Sequence, residues 1–228
     1  MTGSRTLRGP LLALVATFAM SGCGTHPGAA AVVGGETISE DRLDDVALAL
    51  CSAQSGASET GPAQDLAGRA ARQGALGVLL NGALSRQYGE SKGVEADQAQ
   101  VSAAVAANES TIGQLPSSRR SVFRDTLRDY AEGQLILLAI GRSELSKRGT
   151  ANAPEDQAIA AGVSMRDAWV KKSLDVSVDP RYGEFSNGTL AAKGGSLSVA
   201  VSSRATEGAK QQPSSSWVSA LPANQKCS

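Results

Sequence analysis

The chain has 228 residues, with 22 Lys and Arg balanced by 22 Asp and Glu, one histidine, three cysteines and only 4 % aromatic residues. The zero formal charge, with no basic stripe carrying interleaved aromatics, argues against nucleic-acid binding. The few aromatics leave a core to be built from Leu, Val, Ile and Ala.

Residues 11–24, LLALVATFAMSGCG, follow Arg5 and Arg8. The run is too short for a bilayer span, which needs about 20 apolar residues. A basic start, an apolar stretch and small residues at its end describe an export segment. Ser21-Gly22-Cys23 resembles the lipobox of bacterial lipoprotein signal peptides, although Met20 stands where leucine is usual. That resemblance implies removal of residues 1–22, diacylglycerol on the Cys23 thiol and attachment to the outer face of the cell membrane. An ordinary signal peptide with a chance cysteine is the alternative. Residues 23–29 then form a tether that holds His26, the only histidine. The folded part has none, so Ser-His-Asp, Cys-His and histidine-metal chemistry are excluded there.

In an exported chain with one cysteine lipidated, Cys51 and Cys227 remain. Outside the cytoplasm a pair of thiols favours a disulfide, which would staple the C-terminus to the first helix. Two free or intermolecular thiols are the other possibility.

Ala31-Val32-Val33, Gly34-Gly35 and Glu36-Thr37-Ile38 read as a β-hairpin on a two-residue turn. Ser39 is a candidate N-cap and Glu40 and Asp41 suit a first helical turn. Leu43, Val46, Ala47 and Leu50 then fall on one helix face. Residues 52–64 read as a loop. A second helix is expected over 65–88, with Leu66, Leu76, Leu80, Leu84 and Tyr88 on its stripe. Gly74, Gly77 and Gly82 weaken it or permit close helix approach. A third helix is expected over 95–112, from Val101, Val105 and Ile112. Pro116 interrupts, and Ser117 or Ser118 is a candidate cap for a fourth helix to about Lys147. Its middle, QLILLAIG, is apolar all round and expected to be buried; Phe123, Leu127 and Tyr130 favour helix over strand there. Pro154 opens a fifth helix ending near Lys171-Lys172. Leu174, Val176 and Val178 alternate as a strand that Pro180 stops. A short strand over 196–202 is possible in an otherwise low-complexity tail.

The entry AAVVGGETISEDRLDDVA resembles the start of SurA/PrsA-type folding factors. Val32, Val33, Gly34, Gly35, Ile38, Ser39 and Leu43 fill that pattern, with Gly34 where Asn is usual. Asp179-Pro180-Arg181-Tyr182-Gly183 is similar to the closing segment of actinobacterial lipoproteins with a SurA N-terminal-like domain. The resemblance implies a mainly α fold of about five helices, with the N-terminal hairpin closed by the last strand. The organisation expected is a helical domain over 30–185 and a flexible tail over 186–228. Many such proteins carry a parvulin prolyl isomerase between the last two helices. Here that interval is Arg148 to Ala153, too short for a domain, and the parvulin histidines are missing.

What the resemblance then implies is chaperone-like binding of unfolded exported polypeptide, without catalysis, metal or cofactor. Docking to one dedicated envelope partner is the alternative. The peptide-binding residues are not legible. Met165 and Trp169, at i and i+4, could line a soft binding surface, but at helical spacing ordinary core is the favoured reading. Asp44-Asp45 and Arg119-Arg120 read as solvated charge, because adjacent helix residues do not face one another. Neither G-x-S-x-G nor a phosphate loop occurs. Pro180-Arg181-Tyr182-Gly183 reads as a strand terminator whose Tyr covers the hairpin, in preference to a ligand-contacting loop. For the tail, disorder competes with a tail held by Cys51–Cys227, with Trp217 and Leu221 packed on a helix.

Overall fold

The computed structural model describes residues 27–56, 66–191, 200–210 and 213–227. The export segment 1–22, Cys23, His26, residues 57–64 of the expected loop and residues 196–199 of the expected late strand lie outside the described residues; residues 52–56, expected as loop, are helical, and residues 200–202 are not strand.

β1 (Ala29–Val33) and β2 (Glu36–Ser39) form the expected antiparallel hairpin, with Val33 opposite Glu36. Gly34 and Gly35 turn it at φ of 54° and 92°, a left-handed backbone that glycine adopts without strain. Ser39 Oγ accepts the Arg42 amide at 3.1 Å and so starts α1 (Glu40–Gly56). α1 buries Leu43, Val46 and Ala47 against the hairpin and the next helix.

The second helix differs at both ends from the expected span. Leu66 belongs to a two-residue strand, β3 (Leu66–Ala67), and α2 runs Gly68–Lys92. The strand forms because a late segment of the chain pairs with it. α2 stops at Gly93, left-handed at φ 64°, with the Val94 amide returning to the Gly89 carbonyl at 2.9 Å. Leu76, Leu80, Leu84 and Tyr88 are buried as expected.

The expected third helix is two: α3 (Gln98–Ala106), capped by Asp97, and α4 (Glu109–Gln114). The Asn108 side chain donates to the Ala104 carbonyl at 2.9 Å at the break, the local competition with helical bonding that Asn offers. Val105 and Ile112 still share one core cluster with Phe123.

α5 (Ser117–Lys147) begins on Pro116, and neither Ser117 nor Ser118 caps it with its side chain. The QLILLAIG run is helical, and Ile136, Leu137, Leu138 and Ile140 are buried. α5 crosses α6 (Glu155–Ser173) at two glycines. A methyl group at Gly141 would collide with the Ala158 carbonyl, and one at Gly162 with that of Leu137. The two backbones touch where side chains would otherwise hold them 8–10 Å apart, axis to axis.

β4 (Val176–Val178) pairs antiparallel with β1, Ala31 opposite Val178, giving the sheet order β2-β1-β4. The last strand of the domain thus closes on the first, as expected. After a 3-10 turn at Pro180–Tyr182 comes a second hairpin, β5 (Glu184–Ser186) and β6 (Thr189–Ala191). It turns on Asn187-Gly188, both at positive φ, so the folded part runs past residue 185. The described tail residues form α7 (Ser203–Gly208) and α8 (Ser215–Ser219), each capped by the preceding serine. They end in β7 (Lys226–Cys227), which pairs with β3, Cys227 opposite Leu66. Cys51 and Cys227 are joined as a disulfide, with their Cα atoms 5.3 Å apart.

Candidate polypeptide-binding groove

α2 presents Ala70, Gly74, Gly77 and Asn81 along one side, the spacing of a single helix face. An added methyl at Gly74 or Gly77 would meet no atom within 4 Å, so the backbone there lies open. The β5–β6 hairpin stands alongside and contributes Phe185 and Leu190, and α5 contributes Tyr130, which is 46 % exposed. Together they enclose a groove of about 390 Å³, within the ordinary range of ligand sites. Gln73 to Asn81 is two helical turns, about 12 Å at 1.5 Å per residue. That length suits three or four extended residues at about 3.3 Å each.

Among the described residues no carboxylate or cation lines this groove. Its polar side chains are Gln73, Asn81, Thr189 and the Tyr130 phenol. Gln73 Nε2 donates to the Tyr182 carbonyl at 2.9 Å, which fixes its amide and leaves Oε1 as the end turned away from that contact. Beneath the groove lies Arg166, 2 % exposed. Its guanidinium donates to Asp167 Oδ1 from Nε at 3.0 Å and from Nη2 at 2.8 Å, to Ser85 Oγ at 3.2 Å, and to Asn81 Oδ1. A buried cation needs such partners, because an unpaired one would carry a large desolvation cost.

A smaller crevice of about 100 Å³ opens on the other side of α2, between β2 and α5. Arg42 and Asp129 face each other in it at 3.8 Å, and Arg86 pairs with Glu36 at 2.9 Å. Burial pushes the Asp129 carboxyl above its ordinary value, against the opposing pull of Arg86 and Arg42.

The residues singled out in the sequence are distributed as follows. Cys51 and Cys227 are brought together; Cys23 lies outside the described residues. Met165 and Trp169 pack into the core cluster of Tyr88 and Ile136, and the Trp169 ring lies 5.4 Å from that of Tyr88. They do not line the groove. Asp44 pairs with Arg72 at 2.6 Å and Asp45 with Arg119 at 3.2 Å, on the surface. Arg181 bonds both Asp179 and Glu40, and Tyr182 packs on the core of sheet, α1 and α2. The Arg181 hydrogen bonds hold the Asp179 carboxyl below the usual carboxylate range. The segment therefore terminates a strand and ties the domain's end to the start of α1. Trp217 donates from Nε1 to the Arg204 carbonyl at 2.9 Å and lies against Gly208, so it packs on α7.

The groove residues were not legible beforehand, although Asn187-Gly188 is a strong hairpin dipeptide and would have supplied one wall. Among the described residues no three His, Cys, Asp or Glu side chains are grouped as metal ligands. None of the described helices is long and apolar enough to cross a membrane. Comparison with protein-family models, curated proteins and solved structures gives no match to this chain.

Proposed function

We propose that this chain is a lipid-anchored, extracytoplasmic, non-enzymatic protein that binds extended polypeptide segments in the groove beside α2. The observation that carries the reading is the groove itself: partly apolar, free of ionised side chains among the described residues, floored by open helix backbone and fitted with oriented amide groups. That combination suits uncharged peptide, whose side chains need apolar surface and whose main chain needs hydrogen-bond partners. The SurA/PrsA-type resemblance supports the same reading. So does the short link between α5 and α6, Arg148 to Pro154, where a parvulin domain would otherwise be inserted. The Cys23 lipobox supports the anchor.

Two versions differ in breadth. A general chaperone holds many unfolded exported clients, whereas a docking lipoprotein takes one segment of one envelope partner. The groove's length, about three or four extended residues, favours the second. So does the scarcity of exposed large apolar side chains, which among the described residues are Leu48, Tyr130 and Val201. A holdase commonly offers broader apolar surface than that.

The test is dilution of an unfolded exported protein into buffer with the mature chain present. Dose-dependent suppression of aggregation near equimolar ratio supports the chaperone version. No suppression across several clients, with one envelope protein crosslinked in cells through a photoreactive group at position 77, supports docking. No suppression and no crosslink from that position rejects the groove.

A further inference from the structure

We infer that Arg166 fixes Asn81 as a hydrogen-bond donor in the groove, and that this donor selects uncharged extended segments offering a main-chain carbonyl. The inference rests on the peptide-binding reading above and names the feature of the ligand that the groove recognises.

A guanidinium only donates. Arg166 Nη1 faces Asn81, so the amide must present Oδ1 to it and turn Nδ2 the other way. Nδ2 has no acceptor among the described residues, and none of their buried side-chain nitrogens or oxygens is left without a partner, so Nδ2 is accessible to solvent, on a residue that lines the groove. A ligand that fills the groove must supply an acceptor or leave this donor stranded, and a stranded polar group is costly.

The same guanidinium braces the opposite wall. It holds the Asp167 carboxylate, against which Gly188 of the hairpin turn is packed so closely that a methyl there would collide with it. Asn81 on α2 and the hairpin turn are therefore set by one buried cation, and the donor is held before any ligand arrives. The acceptor is a carbonyl rather than a carboxylate. Among the described residues the lining offers no cation to offset the desolvation of an anion. Extended chain meets these terms, because it is neutral along its backbone and turns a carbonyl to each side at regular intervals.

The experiment uses the mature chain and two short, end-blocked, fluorescein-labelled peptides: one alternating leucine and serine, the other with glutamate in place of serine. Fluorescence anisotropy is expected to show the neutral peptide binding about tenfold more tightly than the acidic one. Asn81→Leu is expected to weaken the neutral peptide about fivefold and, because it removes one acceptor from the buried Arg166 guanidinium, to lower the melting temperature, so binding is compared well below the variant's melting transition. Asn81→Asp turns the donor into a carboxylate paired with Arg166 and is expected to weaken it further. Arg166→Lys keeps the charge but not the fork; it is expected to weaken binding about as Asn81→Leu does and to move the Asn81 side-chain amide signal in the 15N spectrum. Unchanged affinity in both Asn81 variants overturns the donor's role and leaves the groove reading standing. An unmoved Asn81 signal in Arg166→Lys overturns the positioning role; should that variant fail to fold, the Asn81 pair still decides the selectivity. Equal binding of the two peptides overturns the selectivity. No binding of either peptide by the unaltered chain overturns the groove reading and this inference with it.

Discussion

Glycines of one chain answer to opposite constraints. Gly162 sits where α6 touches the α5 backbone at Leu137, and Gly74 sits where α2 faces open groove. Gly162→Ala is expected to destabilise the fold by about 1–3 kcal/mol, the usual cost of overpacking. Gly74→Ala is expected to stabilise it by about 1 kcal/mol through helix propensity, while weakening peptide binding by covering the groove floor. Urea unfolding of the two variants checks the opposed signs. Asp179 gives a pH-dependent case. Its carboxyl lies below the ordinary range because Arg181 bonds it, so its contribution is present above the unfolded value, about 3.9, and is lost as pH falls through the folded value. Asp179→Ala is expected to lower Tm at pH 7 by about 2–4 °C, and the gap should close in strong acid. Thermal melts between pH 7 and 2 measure it; a gap independent of pH would count against the carboxylate's part.

Among the elements, α1 shows how a stripe becomes a core. Leu43 is fully buried between hairpin and α2, whereas Leu48 on the same helix is 46 % exposed. Leu43→Ala is expected to cost about 2–5 kcal/mol, and Leu48→Ala about 0.5 kcal/mol or less, as denaturant midpoints would show. The periodicity of α1, α2 and α5 was legible because a helix packed on one side must repeat its apolar residues near every 3.6 positions. The split of α3 from α4 was less so. Val101, Val105 and Ile112 keep a helical spacing across the break, and the Asn108 side chain that marks it is a local competitor without a periodic trace. Leu66 was misread for a different reason. It fits the α2 stripe by spacing, yet pairing with a strand far along the chain makes it extended.

For the molecule as a whole, the disulfide connects ends that are 176 residues apart. β7 pairs with β3 directly before α2 begins, and the 3-10 turn at Ala223–Gln225 packs on the start of that helix. Cys51 lies in α1, so one bond clamps the tail across both helices. Reduction is expected to expose residues 200–227 to protease while far-UV circular dichroism retains the helical core. Unchanged proteolysis of that segment after complete reduction would sink the clamp.

By itself the sequence determined the N-terminal hairpin on Gly34-Gly35, the capped start of α1, the burial of the α5 middle and the strand before Pro180. Each depends on neighbours within a few positions, through turn chemistry, capping or periodicity, and such signals survive in a single chain read locally. The same text made Cys51 and Cys227 candidates for a bond but could not bring their Cα atoms within bonding reach. Tertiary structure alone decided that approach, the contact of Gly141 and Gly162 with facing backbone, and the meeting of Arg166 with Asn81 beneath the groove. Those relations join positions tens of residues apart. They are fixed by how helices of given shape can pack and by the need to satisfy a buried charge, and neither constraint has a local spacing to betray it.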